Sequence, residues 1–272
     1  MKELTPEKIV ENWNALIQLI EDTFDGDRKD KLLKMYNFFE DRMSVAPASG
    51  KEHYHNAMIG GYVEHVLHVT DCALKIKKLW ESDGAKIDFT DEELIFSALH
   101  HDLGKVGDLE HDYYIPCESE WHRKNQGKMY EYDNRVHYMT VTDRAVWLLN
   151  QFNVKMSEVE YLALRLTDGM YEEANKGYLM GYGEAKNLKT NLPYLLHQAD
   201  MLATRWEKEQ YMFSKDSEIN YDEVLNPELR SVREKEEAEK VERIKQAVEK
   251  KETPDVLSKK SKDLFNELFG ED

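Results

Sequence analysis

The residues with the greatest chemical capacity in this chain are a histidine and an aspartate side by side in Ala98-Leu99-His100-His101-Asp102-Leu103-Gly104-Lys105. They end an apolar helical pattern, where an ionised carboxylate is costly unless its charge is compensated. A divalent cation shared with imidazoles compensates it, and His65 and Asp200 can add ligands from separate helices. Two imidazoles and two carboxylates would bind one ion and leave positions for a water and a substrate oxygen. An ion held this way would acidify a bound water and polarise a substrate oxygen, the two requirements of metal-assisted hydrolysis. Lys105 could place a positive charge beside the ion, while Glu64 or Asp168 could orient the water or move a proton.

Helices must carry these groups to one point. Glycine and proline are scarce, charged residues make up 33% of the chain, and apolar residues recur three or four apart, so the expected fold is all-α. Ile9, Trp13, Leu16, Ile17, Ile20 and Phe24 draw one helical face, and Leu32, Leu33, Tyr36, Phe39 and Met43 a second after Asp25-Gly26-Asp27. Gly60-Gly61 precedes a long helix through Tyr62, Val66, Val69, Ala73, Ile76 and Trp80, on which His65 rides. Thr90 with Glu93, and Ser157 with Glu160, are capping-box pairs that open helices, and Asn191-Leu192-Pro193 opens the helix bearing Asp200. No strand alternation stands out, and residues 107–135 read as a long aromatic and polar loop on the substrate side.

The order His65, His101-Asp102, Asp200 resembles the HD phosphohydrolase superfamily, through Glu64-His65, Leu99-His100-His101-Asp102-Leu103-Gly104-Lys105 and His197-Gln198-Ala199-Asp200-Met201-Leu202-Ala203. The run His55-Asn56-Ala57-Met58-Ile59-Gly60-Gly61-Tyr62-Val63-Glu64-His65 is similar to the entry helix of the branch containing YhaM-like exoribonucleases and relaxase-associated HD domains. The resemblance spans about residues 46–210 and implies an HD-domain helical bundle. It divides the chain into an N-terminal helical scaffold (1–45), a phosphohydrolase domain (46–215) and a charged helical extension with a C-terminal interaction peptide (216–272). It also implies a metal site of His65, His101, Asp102 and Asp200, with manganese, magnesium, cobalt, nickel or iron as the cofactor.

Relatives with two metals carry further histidines between the His-Asp pair and the last aspartate. Here His137 and Asp168 are the candidates for a second metal, but a gapless comparison with some relatives puts Val141 at the first position, and Leu166-Thr167-Asp168-Gly169 lacks a histidine at the second. A one-metal site is the preferred expectation. His55, Lys105, Tyr171, Asn175 and Lys176 are the candidate substrate contacts, the last three lying on a glycine-punctuated polar and aromatic stretch. His68, His100 and His197 read as core residues, and His53, His111 and His122 as solvent-facing.

The formal net charge of −17 repels nucleic-acid backbones, so a nucleotide is the favoured substrate over a short nucleic acid processed from its 3′ end. An HD-type di-iron oxygenase and a noncatalytic metal-stabilised binding module are further alternatives. Cys72 and Cys117 lack metal-ligand spacing and fit a reducing compartment. With no membrane-length apolar run and no signal-peptide pattern, a cytoplasmic location is expected. Residues 231–252 read as a mostly solvated helix ended by Thr253-Pro254. Beyond a basic patch at Lys259–Lys262, residues 263–270 place two Leu-Phe pairs four apart, as in tails that dock on sliding clamps. Tyr113, Tyr114, Trp121, Tyr130 and Tyr132 suggest an exposed aromatic surface for an oligomer.

Overall fold

Helix α1 (Pro6–Thr23) starts where Thr5 accepts a hydrogen bond from the Lys8 backbone N–H, with a proline in its first turn. It buries Trp13, Leu16 and Ile20 against α2 (Gly26–Met43), and Phe24 closes the pair. In this computed structural model, residues 3–181, 183–213 and 239–248 are described. The protein is mostly helical, an all-α bundle.

Helix α3 (Gly61–Ser82) is the central element and packs on α1, α4 (Asp91–His100) and α9 (Leu192–Phe213). Its entry depends on close approach: a Cβ at Gly61 would lie 2.1 Å from the Asn56 carbonyl oxygen, so the loop folded under the helix start leaves no room for a side chain. Both capping boxes form, at Thr90–Glu93 for α4 and at Ser157–Glu160 for α7 (Glu158–Arg165). Beyond α4 the chain tightens into a 3₁₀ turn, Leu103–Val106, seated on the start of α6 (Val141–Gln151). There a Cβ at Gly104 would lie 2.0 Å from the Val141 carbonyl oxygen.

Trp13, Leu16, Phe24, Tyr36, Phe39, Tyr62, Phe96, Leu99, Leu148 and Leu164 belong to one apolar cluster, so the two N-terminal helices share their core with the elements that carry the chemistry. A second cluster joins α3, α4 and α9 through Val69, Ala73, Leu94, Ala98, Leu195, Leu196 and Ala199.

Two features depart from what the sequence predicts. Within residues 107–135, strands β1 (Tyr114–Pro116) and β2 (Tyr130–Tyr132) pair antiparallel around α5 (Glu120–Gln126), and three-residue strands are too short to show alternation. The aromatic surface is also smaller than expected: Trp121 and Tyr132 are exposed, but Tyr114 is buried and stacks on Tyr132 at 5.5 Å. The helical segment 239–248 falls within the expected solvated helix and docks on the bundle through Ile244, buried beside Ile9, Val10 and Val45. Lys240 and Arg243 on this segment both face Glu40. The expected clamp-docking peptide at 263–270 lies outside the described residues. Among the described residues, no helix is long and apolar enough to cross a membrane.

Candidate metal centre

Three helices bring four of the expected side chains together. His65 lies one turn into α3, His101 and Asp102 cap the end of α4, and Asp200 sits midway along α9. The His65 and His101 Nε2 atoms are 3.3 Å apart. His65 Nε2 is 3.5 Å from Asp102 Oδ2 and 3.3 Å from Asp200 Oδ1, and His101 Nε2 is 3.5 Å and 3.8 Å from the same atoms. Both imidazoles are fully enclosed, whereas the Asp200 side chain is 25% exposed, so the cluster opens to solvent on the α9 side.

The opposite ring nitrogens decide what these atoms present to one another. His101 Nδ1 is 2.7 Å from the Ala98 carbonyl oxygen, which can only accept, so Nδ1 carries the proton. His65 Nδ1 is 3.0 Å from a Glu207 carboxylate oxygen and donates in the same way. In their neutral forms both rings therefore aim an Nε2 lone pair into the cluster, where two carboxylates already converge. Four acceptors at such separations repel unless something positive lies among them.

A divalent ion fits that requirement in charge and in size. Donors about 2.1 Å from a common ion are separated by roughly 3.0 Å in octahedral and 3.4 Å in tetrahedral arrangements, close to the separations here. The titration of the groups carries the same signature. Burial would lower the His65 pKa, but Glu207 and Asp200 overcome it and raise it to about 10, so a proton is drawn to this point when nothing else positive fills it. For Asp102, burial acts upward and is outweighed by Lys105, His101 and His65, which hold the carboxyl below its ordinary value. Asp200 is likewise depressed, burial being overcome by His65, His101 and Lys105.

Set against protein-family models, curated proteins and solved structures, the chain matches none. The case for a metal centre therefore rests on its own side chains.

Around the four groups, Lys105 Nζ contacts Asp102 Oδ2 at 2.5 Å. Burial acts to lower the Lys105 pKa, but Asp102, Asp200 and Asp168 raise it, so the ammonium persists beside the cluster. Asp168 lies at the rim: its surface is open to solvent, yet surrounding protein desolvates it and Asp102 and Asp200 repel its charge, raising its pKa. His55 packs its ring 4.6 Å from that of His65, and burial depresses its pKa to about 3. Glu64 is buried on α3, one residue and so about 100° around the helix from His65.

The other expected contacts fall elsewhere. His137 is exposed on the segment before α6, where its backbone carbonyl accepts a hydrogen bond from Arg144. Among the described residues His65, His101 and Asp102 form a group whose donor atoms all lie within 4.8 Å of one another; Asp200 approaches it through the two imidazoles, and neither His137 nor Asp168 joins it. Asn175 is corrected from a substrate contact to a loop brace, because its fully buried side chain accepts from Arg165 and donates to the Gly169 carbonyl. Tyr171 is 82% exposed with its ring 6.1 Å from His197, and Lys176 pairs with Glu173 at the start of α8 (Lys176–Leu179). His197 ties α9 to the Asp168 turn through the Thr167 carbonyl, and His111 is partly buried beside Asp108 rather than solvent-facing.

The sequence reading missed Glu207 and set His68 aside as core. Both stand on the facing sides of α3 and α9, His68 three residues after His65 and Glu207 seven after Asp200. Those helical spacings were the available signal.

Proposed function

We propose that this protein is a divalent-metal-dependent hydrolase of phosphate esters, of the HD type, acting on a nucleotide. The observation that carries the reading is the convergence of two imidazole lone pairs and two carboxylates from three helices on one partly open point. A divalent ion bound there would lower the pKa of a water and polarise a phosphoryl oxygen.

The chain's own groups account for the rest. His65, His101, Asp102 and Asp200 supply the ligands. The opening beside Asp200 admits the ester. Lys105, held against Asp102, offers a fixed positive charge for the non-attacked phosphoryl oxygens. Asp168 at the rim, its pKa raised, is suited to accept a proton from the attacking water and return it to the departing oxygen. A mononucleotide suits the net charge of −17 better than a polynucleotide, because few phosphates must approach the acidic surface.

The test is hydrolysis of a panel of ribonucleotides, deoxynucleotides and short oligonucleotides by the purified chain with manganese, magnesium, cobalt, nickel or iron. Phosphate release from mononucleotides, abolished by chelation and weakly sensitive to salt, is the expected result. A steep loss of affinity with salt would move the substrate to nucleic acid. Activity that survives chelation would overturn the metal reading.

A further inference from the structure

Glu207 is fully buried, and its carboxylate lies between two imidazoles. His65 Nδ1 is 3.0 Å from Oε2 and 3.3 Å from Oε1, and His68 Nδ1 is 2.8 Å from Oε1. A carboxylate only accepts, so both histidines must present Nδ1–H to it. We infer that Glu207 is the positioning residue of the metal centre: it locks His65 in the tautomer whose Nε2 lone pair faces Asp102 and Asp200, while His68 donates to the carboxylate's other oxygen.

The inference rests on the metal-site reading and extends it to how the site is kept ready. Without an anionic acceptor, nothing on the α9 side would favour the Nδ1–H form of His65, and the other tautomer would aim a proton where the ion must sit. The negative charge also makes His65 a stronger donor, as carboxylates behind metal-bound histidines do generally. The geometry gives Glu207 this role rather than that of a ligand. His55, His65 and Glu207 do have donor atoms within 4.8 Å of one another. However, a second ion among them would require His65 to bind metal through both nitrogens and so to lose both protons. The placement on α9 is economical: Asp200 and Glu207 are two turns apart on one face, so a single helix supplies a ligand and the group that orients another ligand.

The test compares full-length Glu207→Gln and His68→Ala with the parent chain. In Mg²⁺-loaded protein, where Nε2 of His65 would have given its proton up to make room for the ion, nitrogen-15 NMR of the imidazoles should report a protonated Nδ1 on both His65 and His68. In Glu207→Gln the His65 Nδ1 proton should no longer be fixed, and affinity for Mn²⁺ by titration calorimetry should fall about 10- to 100-fold. Turnover in that variant should recover as Mn²⁺ is raised, since the ligands themselves are intact. His68→Ala retains the His65–Glu207 bond and should keep Mn²⁺ affinity within about threefold. An unprotonated Nδ1 on His65 in the parent chain, or parental Mn²⁺ affinity in Glu207→Gln, would overturn the inference. Equal losses in the two variants would also overturn it, reducing Glu207 to a packing role. Should Glu207→Gln fail to fold, the parental Nδ1 measurement decides. A protonated Nδ1 in a chain that binds no metal would instead count against the metal reading and leave the Glu207 contact standing.

Discussion

His100 and His101 are neighbours in sequence, both buried, and each anchors Nδ1 on a backbone carbonyl at 2.7 Å, yet they belong to different chemical worlds. The His100 ring packs 4.3 Å from Phe96 and 5.9 Å from Tyr36, and its Nε2 has no hydrogen-bond partner. Burial drives its pKa down to about 3. The His101 Nε2 meets His65, Asp102 and Asp200 instead. The helix turns by about 100° between them, which suffices to carry one ring into the apolar core shared with α1 and α2 and the other into the polar seam between α3 and α9. A buried histidine is therefore not a site by virtue of burial; what its second nitrogen faces decides.

The largest effect should come from the carboxylate that gives the polar seam its character. Asp102→Ala removes the group faced by His65, His101 and Lys105 together, so phosphate release should fall about 10³-fold or more, with Mn²⁺ binding lost in calorimetry. If Asp102→Ala retained parental turnover, His101 would differ from His100 only in its surroundings and not in its work.

A matched pair of substitutions sharpens the contrast. Replacing either neighbour by leucine keeps the volume closely but removes the Nδ1–H bond to a backbone carbonyl, so each change should cost about 1 to 3 kcal/mol of stability. His101→Leu should weaken Mn²⁺ binding at least about 100-fold, whereas His100→Leu should leave it within about threefold. Urea unfolding of both variants separates packing from ligation. Similar Mn²⁺ affinities in the two would erase the distinction.

The same contrast explains which parts of the molecule could be read from sequence. Helices α1 to α4 announce themselves through apolar spacing and the Thr90–Glu93 box, because local hydrogen bonds and burial of one face act within a few residues. The four convergent groups were legible because their order along the chain, a histidine, a His-Asp pair and a later aspartate, forms a pattern, which residue type alone would not have separated from His68 or His100. Glu207 was not, since Arg205-Trp206-Glu207-Lys208-Glu209 reads as a solvated charge run, and its burial comes from the way α9 lies against α3. Asn175 failed in the opposite sense: a polar residue in a glycine-rich stretch looked available, but the fold uses it to satisfy Arg165 and the Gly169 carbonyl. The β1–β2 pair was hidden by its length.

The apolar side of the comparison can be tested directly through pH. Because the folded-state pKa of His100 lies at about 3, below the unfolded value of about 6.5, the unfolded chain takes up the proton first as pH falls. Stability attributable to this residue is therefore present above about pH 6.5 and is lost between there and pH 3, with a slope approaching 1.4 kcal/mol per pH unit, roughly the free energy of a tenfold change. Leucine at position 100 removes that proton uptake without removing the bulk that fills the space beside Phe96 and Tyr36. Urea midpoints measured at pH 7, 6, 5 and 4 should converge between His100→Leu and the parent as the medium is acidified, with His100→Leu overtaking if its packing cost is small. Parallel midpoints across that range would mean that His100 reaches protons in the folded protein, and that the wall separating it from His101 is more permeable than its contacts imply.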